Sequence, residues 1–116
     1  MEVFLERIHQ LMPVLGADAL VPIGHLTPTG FVVLEGSQAV LKERASAHSY
    51  PYILAIRKKL IQDGTLIRNG EHYKFTRDSE FSSPSAAASV VHGGSANGLL
   101  AWKSKGGKAL KELEAI

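Results

Sequence analysis

The sequence predicts a small single α+β domain of antiparallel β-hairpins packed with short helices, preceded by an N-terminal helical arm. Three observations predict it. The chain has 116 residues, 45% apolar and 21% charged, which is the size and composition of one globular core. Short apolar runs rich in β-branched and aromatic residues alternate with turn signals, so strands pair through tight turns. Two segments of helical spacing interrupt them, each opened by a serine and a proline and closed by a glycine. Antiparallel hairpins in this order exclude the parallel sheet of a nucleotide-binding fold. No internal repeat is present.

The elements follow in chain order. Val3 to Met12 reads as an amphipathic helix: Phe4, Ile8 and Leu11 share one face, the acids lie near its start and Pro13 blocks continuation. Val14 to Gly30, with Pro22 and Thr27-Pro28-Thr29-Gly30, reads as a connection. Residues 1–26 are therefore expected to be arm and linker, and 27–116 the domain. Phe31-Val32-Val33-Leu34-Glu35 and Ala39-Val40-Leu41 read as a hairpin across Gly36-Ser37. Glu43 to Ser49 is polar and small, hence a loop. A helix is expected from Tyr50 to Ile61, capped by Ser49, with Pro51 in its first turn, Ile53, Ile56 and Leu60 on one face and Gly64 as its stop.

Asn69-Gly70 is the clearest local signal. It separates Thr65-Leu66-Ile67-Arg68 from Glu71-His72-Tyr73-Lys74-Phe75, and a type I′ turn centred on it sets Arg68 opposite Glu71 and Leu66 opposite Tyr73. Ser83 is the expected N-cap of a second helix, with Pro84 at its first position, Ala87, Val90 and Val91 as its apolar stripe and Gly93 as its stop. Leu99-Leu100-Ala101-Trp102 is expected as a last strand after an Asn97-Gly98 turn. Leu110 and Leu113 suggest a short closing helix.

Composition removes several functions. The longest apolar runs span a few residues, far short of the ~20 that cross a bilayer, so no membrane partner is expected. Met1 to Leu11 carries Glu2, Glu6 and Arg7, unlike a secretory signal, and the chain has no Cys; both suit a reducing cytoplasm. Without Cys there is no thiolate nucleophile, iron–sulfur cluster or Cys-rich zinc site. The five His, at 9, 25, 48, 72 and 92, are too far apart to form a short-spaced metal pair. Gly93-Gly94-Ser95-Ala96-Asn97 fails as a nucleophile elbow at its last position, and Lys105-Gly106-Gly107-Lys108-Ala109 lacks the spacing and hydroxyl of a phosphate loop. Asp78 and Glu80 have nothing beside them to separate their pKa values. No catalytic residue, metal or cofactor is assigned, and the chain is not expected to be an enzyme.

The charge pattern is the positive feature. Net charge is +2, yet residues 1–36 hold one base and four acids whereas residues 37–77 hold eight bases and three acids, a local +5. Such a middle segment suits a polyanion, although an ordinary solvated face has the same appearance. Lys58 and Lys59 fall away from the expected apolar face of their helix, and the following hairpin adds Arg68, Lys74 and Arg77, the local arrangement of a winged-helix wing. Lys103, Lys105, Lys108 and Lys111 form a second basic run without an acid until Glu112. Trp102, Tyr73 and Phe75 are either core residues or base-stacking ones.

Several motifs resemble a known family. Gly30-Phe31-Val32-Val33-Leu34-Glu35-Gly36-Ser37, Leu60-Ile61-Gln62-Asp63-Gly64-Thr65-Leu66, Tyr73-Lys74-Phe75-Thr76-Arg77-Asp78, Phe81-Ser82-Ser83-Pro84-Ser85-Ala86-Ala87-Ala88 and Ser95-Ala96-Asn97-Gly98 with Trp102-Lys103 are involved. Together they resemble an uncharacterised domain at the C-terminus of bacterial GIY-YIG nuclease-family proteins, over roughly residues 27 to 114. Leu11-Met12-Pro13-Val14-Leu15-Gly16 is similar to the segment before that domain. The C-terminal half is more distantly similar to the domain associated with restriction enzymes and adenine methylases. The nuclease's own motifs have no counterpart here, so the resemblance implies an accessory role without catalysis.

The expectation is a nucleic-acid-binding accessory module, on DNA rather than RNA, that positions a nuclease domain or modification enzyme. Its candidate contacts are Lys58, Lys59, Arg68, Lys74, Arg77, Lys103, Lys105 and Lys108. From the distant similarity alone, Ser95, Asn97 and Trp102 are added as readers of a modified base. The alternative expectation is a protein-interaction or dimerisation module, a monomer or weak homodimer joined through the arm helix.

Overall fold

Thr27-Pro28-Thr29-Gly30 is a turn, not a loose connection. Proline supplies the fixed φ that a β-turn needs at its first central position, and Thr27 pairs with Gly30 across it. The hairpin it closes joins strands β2 (Ile23–Thr27) and β3 (Gly30–Val33). The computed structural model describes residues 2–4, 22–103 and 108–114. Within them the predicted α+β class is found: two antiparallel sheets packed with short helices.

The first sheet has the order β1-β2-β3-β7, where β1 is Glu2–Phe4 and β7 is Ser79–Phe81. β1 corrects the expected arm helix at its first turn. Val3 pairs with Gly24 and is only 1% exposed, so this segment gains sheet hydrogen bonds and core burial that an isolated helix lacks. Ile8 and Leu11, the rest of the expected helical stripe, lie outside the described residues. The boundary expected near Thr27 falls on the last residue of β2.

The second sheet has the order β4-β6-β5, with β4 at Gln38–Val40, β5 at Leu66–Asn69 and β6 at His72–Phe75. The expected hairpin between Phe31–Glu35 and Ala39–Leu41 does not form. After β3 the Ser37 N–H turns back to the Leu34 carbonyl, Gly36 takes φ of 89°, and Gly36 and Ser37 bond to Phe75 instead. The chain thus crosses between sheets, and β3 pairs with β7 while β4 pairs with β6. Phe31 and Phe81 face each other as a result, both buried in one core, and burial of each phenyl group contributes about 2–3 kcal/mol.

The Asn69-Gly70 hairpin exists in a different register. Asn69 pairs with His72 and Leu66 with Phe75, so Gly70 and Glu71 are the central residues. Gly70 has φ of 69° and no non-glycine residue has positive φ among those described, which fits type II′ rather than type I′. This register puts two buried side chains, Leu66 and Phe75, opposite each other.

Between the second sheet's strands runs helix α1 (Pro51–Gln62), preceded by a 3-10 helix at Ala45–Ser49 where a loop was expected. Its N-cap is Tyr50, without a capping side-chain bond, and not Ser49, because the 3-10 turn already occupies that residue. Helix α2 (Pro84–His92) begins and ends as expected. Ser83 Oγ accepts from Ala86 N–H at 3.0 Å, and Gly93 closes the helix at φ of 68°. Every residue from Ala86 to His92 is buried, so α2 is the central helix of the core. Its alanines let Phe31, Val33, Phe75, Phe81 and Trp102 gather in the same cluster.

Leu99–Trp102 is not a strand. Asn97 Oδ1 accepts from Leu99 N–H at 3.1 Å and starts a short helix, α3 (Gly98–Ala101), because an asparagine side chain competes well for exposed helix donors. A bridge between Lys103 and Ala109 leads into α4 (Leu110–Glu114), the expected closing helix.

Candidate nucleic-acid interface

Helix α1 is the basic element of the domain. Its twelve residues, Pro-Tyr-Ile-Leu-Ala-Ile-Arg-Lys-Lys-Leu-Ile-Gln, contain three cations and no acid. Packing then divides them. Ile53 and Arg57 are buried, Ile56 and Leu60 are half-buried, and Pro51, Tyr52, Ala55, Lys58, Lys59 and Gln62 are exposed. The helical repeat sets these six on one side, with Tyr52 and Lys59 seven residues apart on the same stripe. An exposed helix face three turns long therefore presents two lysines and a tyrosine without a carboxylate.

Two tyrosines stand at its N-terminal end. Tyr50 and Tyr52 are 45% and 47% exposed, and their rings meet edge to face at 6.3 Å. The loop after α2 docks on the 3-10 helix that leads into them. Arg44 N–H donates to the Gly93 carbonyl at 2.7 Å and Ser95 N–H to Ser46 Oγ at 3.1 Å, tying this loop to the 3-10 helix. Only glycine fits at 94: a Cβ there would lie 2.7 Å from Ser46 Oγ and 2.9 Å from Arg44 Cβ. Ser95, exposed, is thereby brought to the segment that feeds α1.

The other predicted contacts are not gathered there. Arg68 pairs with Tyr73 and Lys74 with Ile67, and strand neighbours point to opposite faces, so Arg68 and Lys74 lie on opposite sides of the sheet. Arg77 is engaged locally, donating to Thr65 Oγ1 and lying 3.5 Å from Asp63. Hydrogen bonding from Thr65, by side chain and backbone, holds the Asp63 carboxyl below the usual range, and Arg77 and Lys59 add to it. Arg77 and Lys59 share a cleft of about 480 Å³ between α1 and β7, but Asp63, Asp78 and Glu80 line it too, so its charge is mixed. Lys103 forms the bridge with Ala109 ahead of α4, Lys108 immediately precedes Ala109, and Lys105 lies outside the described residues.

Trp102 is a correction. Its side chain is fully buried, 4.6 Å from Phe31 between ring centroids, and Nε1 donates to the Pro84 carbonyl at 3.0 Å. A ring with no free face cannot stack on a base. Asn97 is spent on the α3 cap. The serine-proline-serine and Ser-Ala-Asn-Gly motifs in fact bind each other through Gly98 N–H, which donates to Ser85 Oγ, and Ala96 N–H donates to Ser89 Oγ further along α2.

The residues that sequence reading missed are Tyr50, Tyr52 and Arg57. The tyrosines had a signal, a Tyr-Pro-Tyr step ahead of an acid-free helix. Arg57 had a weaker one, its position four residues after Ile53 on the packed face.

His72 adds a pH dependence. It is 7% exposed, and burial lowers its pKa below the ordinary value, with Glu71 opposing. The unfolded chain then holds the His72 proton more tightly than the folded one. This contribution to stability is complete above about pH 6.5 and is lost as pH falls from there towards the lowered folded pKa. Melting temperature is expected to drop between about pH 7.5 and about pH 5.5, and to drop less in His72→Gln. Equal slopes for the two proteins refute the assignment.

These features define an α+β domain, built around a buried central helix and carrying one cationic, acid-free helix on its surface. No helix among the described residues is long and apolar enough to cross a membrane, and no three of their His, Asp or Glu side chains group as metal ligands. The chain belongs to the DUF4357 family, a domain of unknown function, whose model matches residues 16–114. No curated protein and no solved structure matches it.

Proposed function

We propose that this chain is a non-catalytic nucleic-acid-binding module that holds a nuclease or modification enzyme on DNA in the cytoplasm. The observation that carries this reading is the exposed face of α1, where Lys58 and Lys59 stand with Tyr52 and the helix itself supplies no acid over its twelve residues, Asp63, Asp78 and Glu80 lying with Lys59 along the cleft at one side. Lysines so placed neutralise phosphates and release counterions, whereas a merely solvated face normally mixes both signs. Support for the partner enzyme comes from the resemblance to the accessory domain of GIY-YIG nuclease-family proteins. The module supplies position, and the partner supplies chemistry.

Fluorescence anisotropy with labelled DNA at low salt tests it. The wild-type chain is expected to bind, with affinity falling steeply as salt rises. Lys58→Ala/Lys59→Ala is expected to weaken binding and to reduce the slope of log affinity against log salt by about 2, one phosphate contact per lysine. Absence of binding, or binding indifferent to salt, rejects the proposal.

A further inference from the structure

Resting on that reading, we infer that α1 engages single-stranded DNA, with Tyr50 and Tyr52 stacking on unpaired bases while Lys58 and Lys59 contact the phosphates of neighbouring nucleotides. The tyrosines carry this step. Each leaves nearly half its surface in water at 45% and 47% exposure, although the core lies one helix face away. Neither hydroxyl has a hydrogen-bond partner among the described residues, and the contact each ring makes with the other is edge on, at 84°. In an edge-to-face pair one ring turns its edge to one face of the other, so this contact occupies a single ring face and leaves flat aromatic surface open at this end of the helix.

The spacing suits a strand of nucleotides. Seven helical residues separate Tyr52 from Lys59, about 10 Å along the axis, a distance that one or two steps of an unstacked sugar-phosphate backbone can bridge. A base on the tyrosines therefore sets the phosphates that follow it beside the lysines. Arg44, whose side chain lies against Gly94, adds a cation at the start of the 3-10 helix that leads to Tyr50. In a duplex the base faces are already occupied by their neighbours, so tyrosine stacking contributes only where bases are unpaired.

The experiment compares three labelled ligands of one sequence: a single strand, its duplex, and a strand whose bases are removed along the bound length. The single strand is expected to bind on the order of ten-fold tighter than the other two. Tyr50→Ala/Tyr52→Ala is expected to remove that advantage and leave duplex binding unchanged, and Tyr50→Phe/Tyr52→Phe to restore it. Both pairs sit on the surface, and circular dichroism confirms the fold of each variant. Duplex binding equal to single-strand binding, or an alanine pair that still prefers the single strand, overturns the inference while phosphate contact by the lysines stands. No binding to any ligand overturns both.

Discussion

Arg57→Ala is expected to cost about 3–5 kcal/mol in a urea unfolding titration. Arg57 is 1% exposed, and its guanidinium donates to the carbonyls of Val90, Val40 and Leu41. It also lies 5.7 Å from the centre of the Tyr73 ring, with Nε 3.7 Å from a Glu43 carboxylate oxygen. Burial lowers its pKa, opposed by Glu43 and Tyr73, and a guanidinium remains charged at neutral pH regardless. Alanine leaves three carbonyls without this donor and a cavity where the side chain was. Lysine is expected to recover only part of the loss, since one ammonium group cannot reach all three carbonyls that the forked guanidinium donates to. A loss below about 1 kcal/mol for the alanine variant contradicts this account. The consequence for function is orientation: Arg57 fixes α1 against the end of α2 and against β4, and so sets the direction in which Lys58 and Lys59 point.

Trp102→Ala is expected to cost a similar amount, about 3–5 kcal/mol, by emptying the site beside Phe31 and leaving the Pro84 carbonyl without its indole donor. Trp102→Phe keeps an aromatic ring there and is expected to cost roughly half as much. Both are measured by denaturant unfolding, with DNA binding followed on the folded fraction. A tryptophan that served nucleic acid instead of the core would show the reverse pattern, unchanged stability with lost binding. Its burial also accounts for the tightness around α3. A Cβ on Gly98 would lie 2.2 Å from the Pro84 carbonyl carbon, so only glycine permits the approach that lets the indole reach Pro84.

The bounds of helix α2 were legible in sequence because their signals are local: Ser83 and Pro84 open it and Gly93 closes it, whereas its burial from Ala86 to His92 goes beyond the single apolar stripe expected. The Lys58 and Lys59 face was legible for the same reason, since helical spacing places them away from Ile53 and Leu60. Strand pairing was legible only where one turn joined the partners, and even there the register slipped, because a single positive φ at Gly70 suffices for the turn that forms. The first hairpin was misassigned because nothing within ten residues of Phe31 reveals that Phe81 is its partner. Trp102 was ambiguous between core and ligand until its neighbours were known.

The sequence by itself determined the α+β class, the two longer helices with the boundaries of α2, the absence of cysteine chemistry and the basic character of the middle segment. Each depends on composition or on residues a turn or two apart, where capping, helical period and backbone preference act directly. Tertiary structure decided the rest. It set which strands share a sheet, buried Arg57 and Trp102 while leaving Tyr50 and Tyr52 in water, and divided Arg68 from Lys74. Burial is a property of the assembled core, and side chains with identical local surroundings diverge once distant elements close over one of them and not the other.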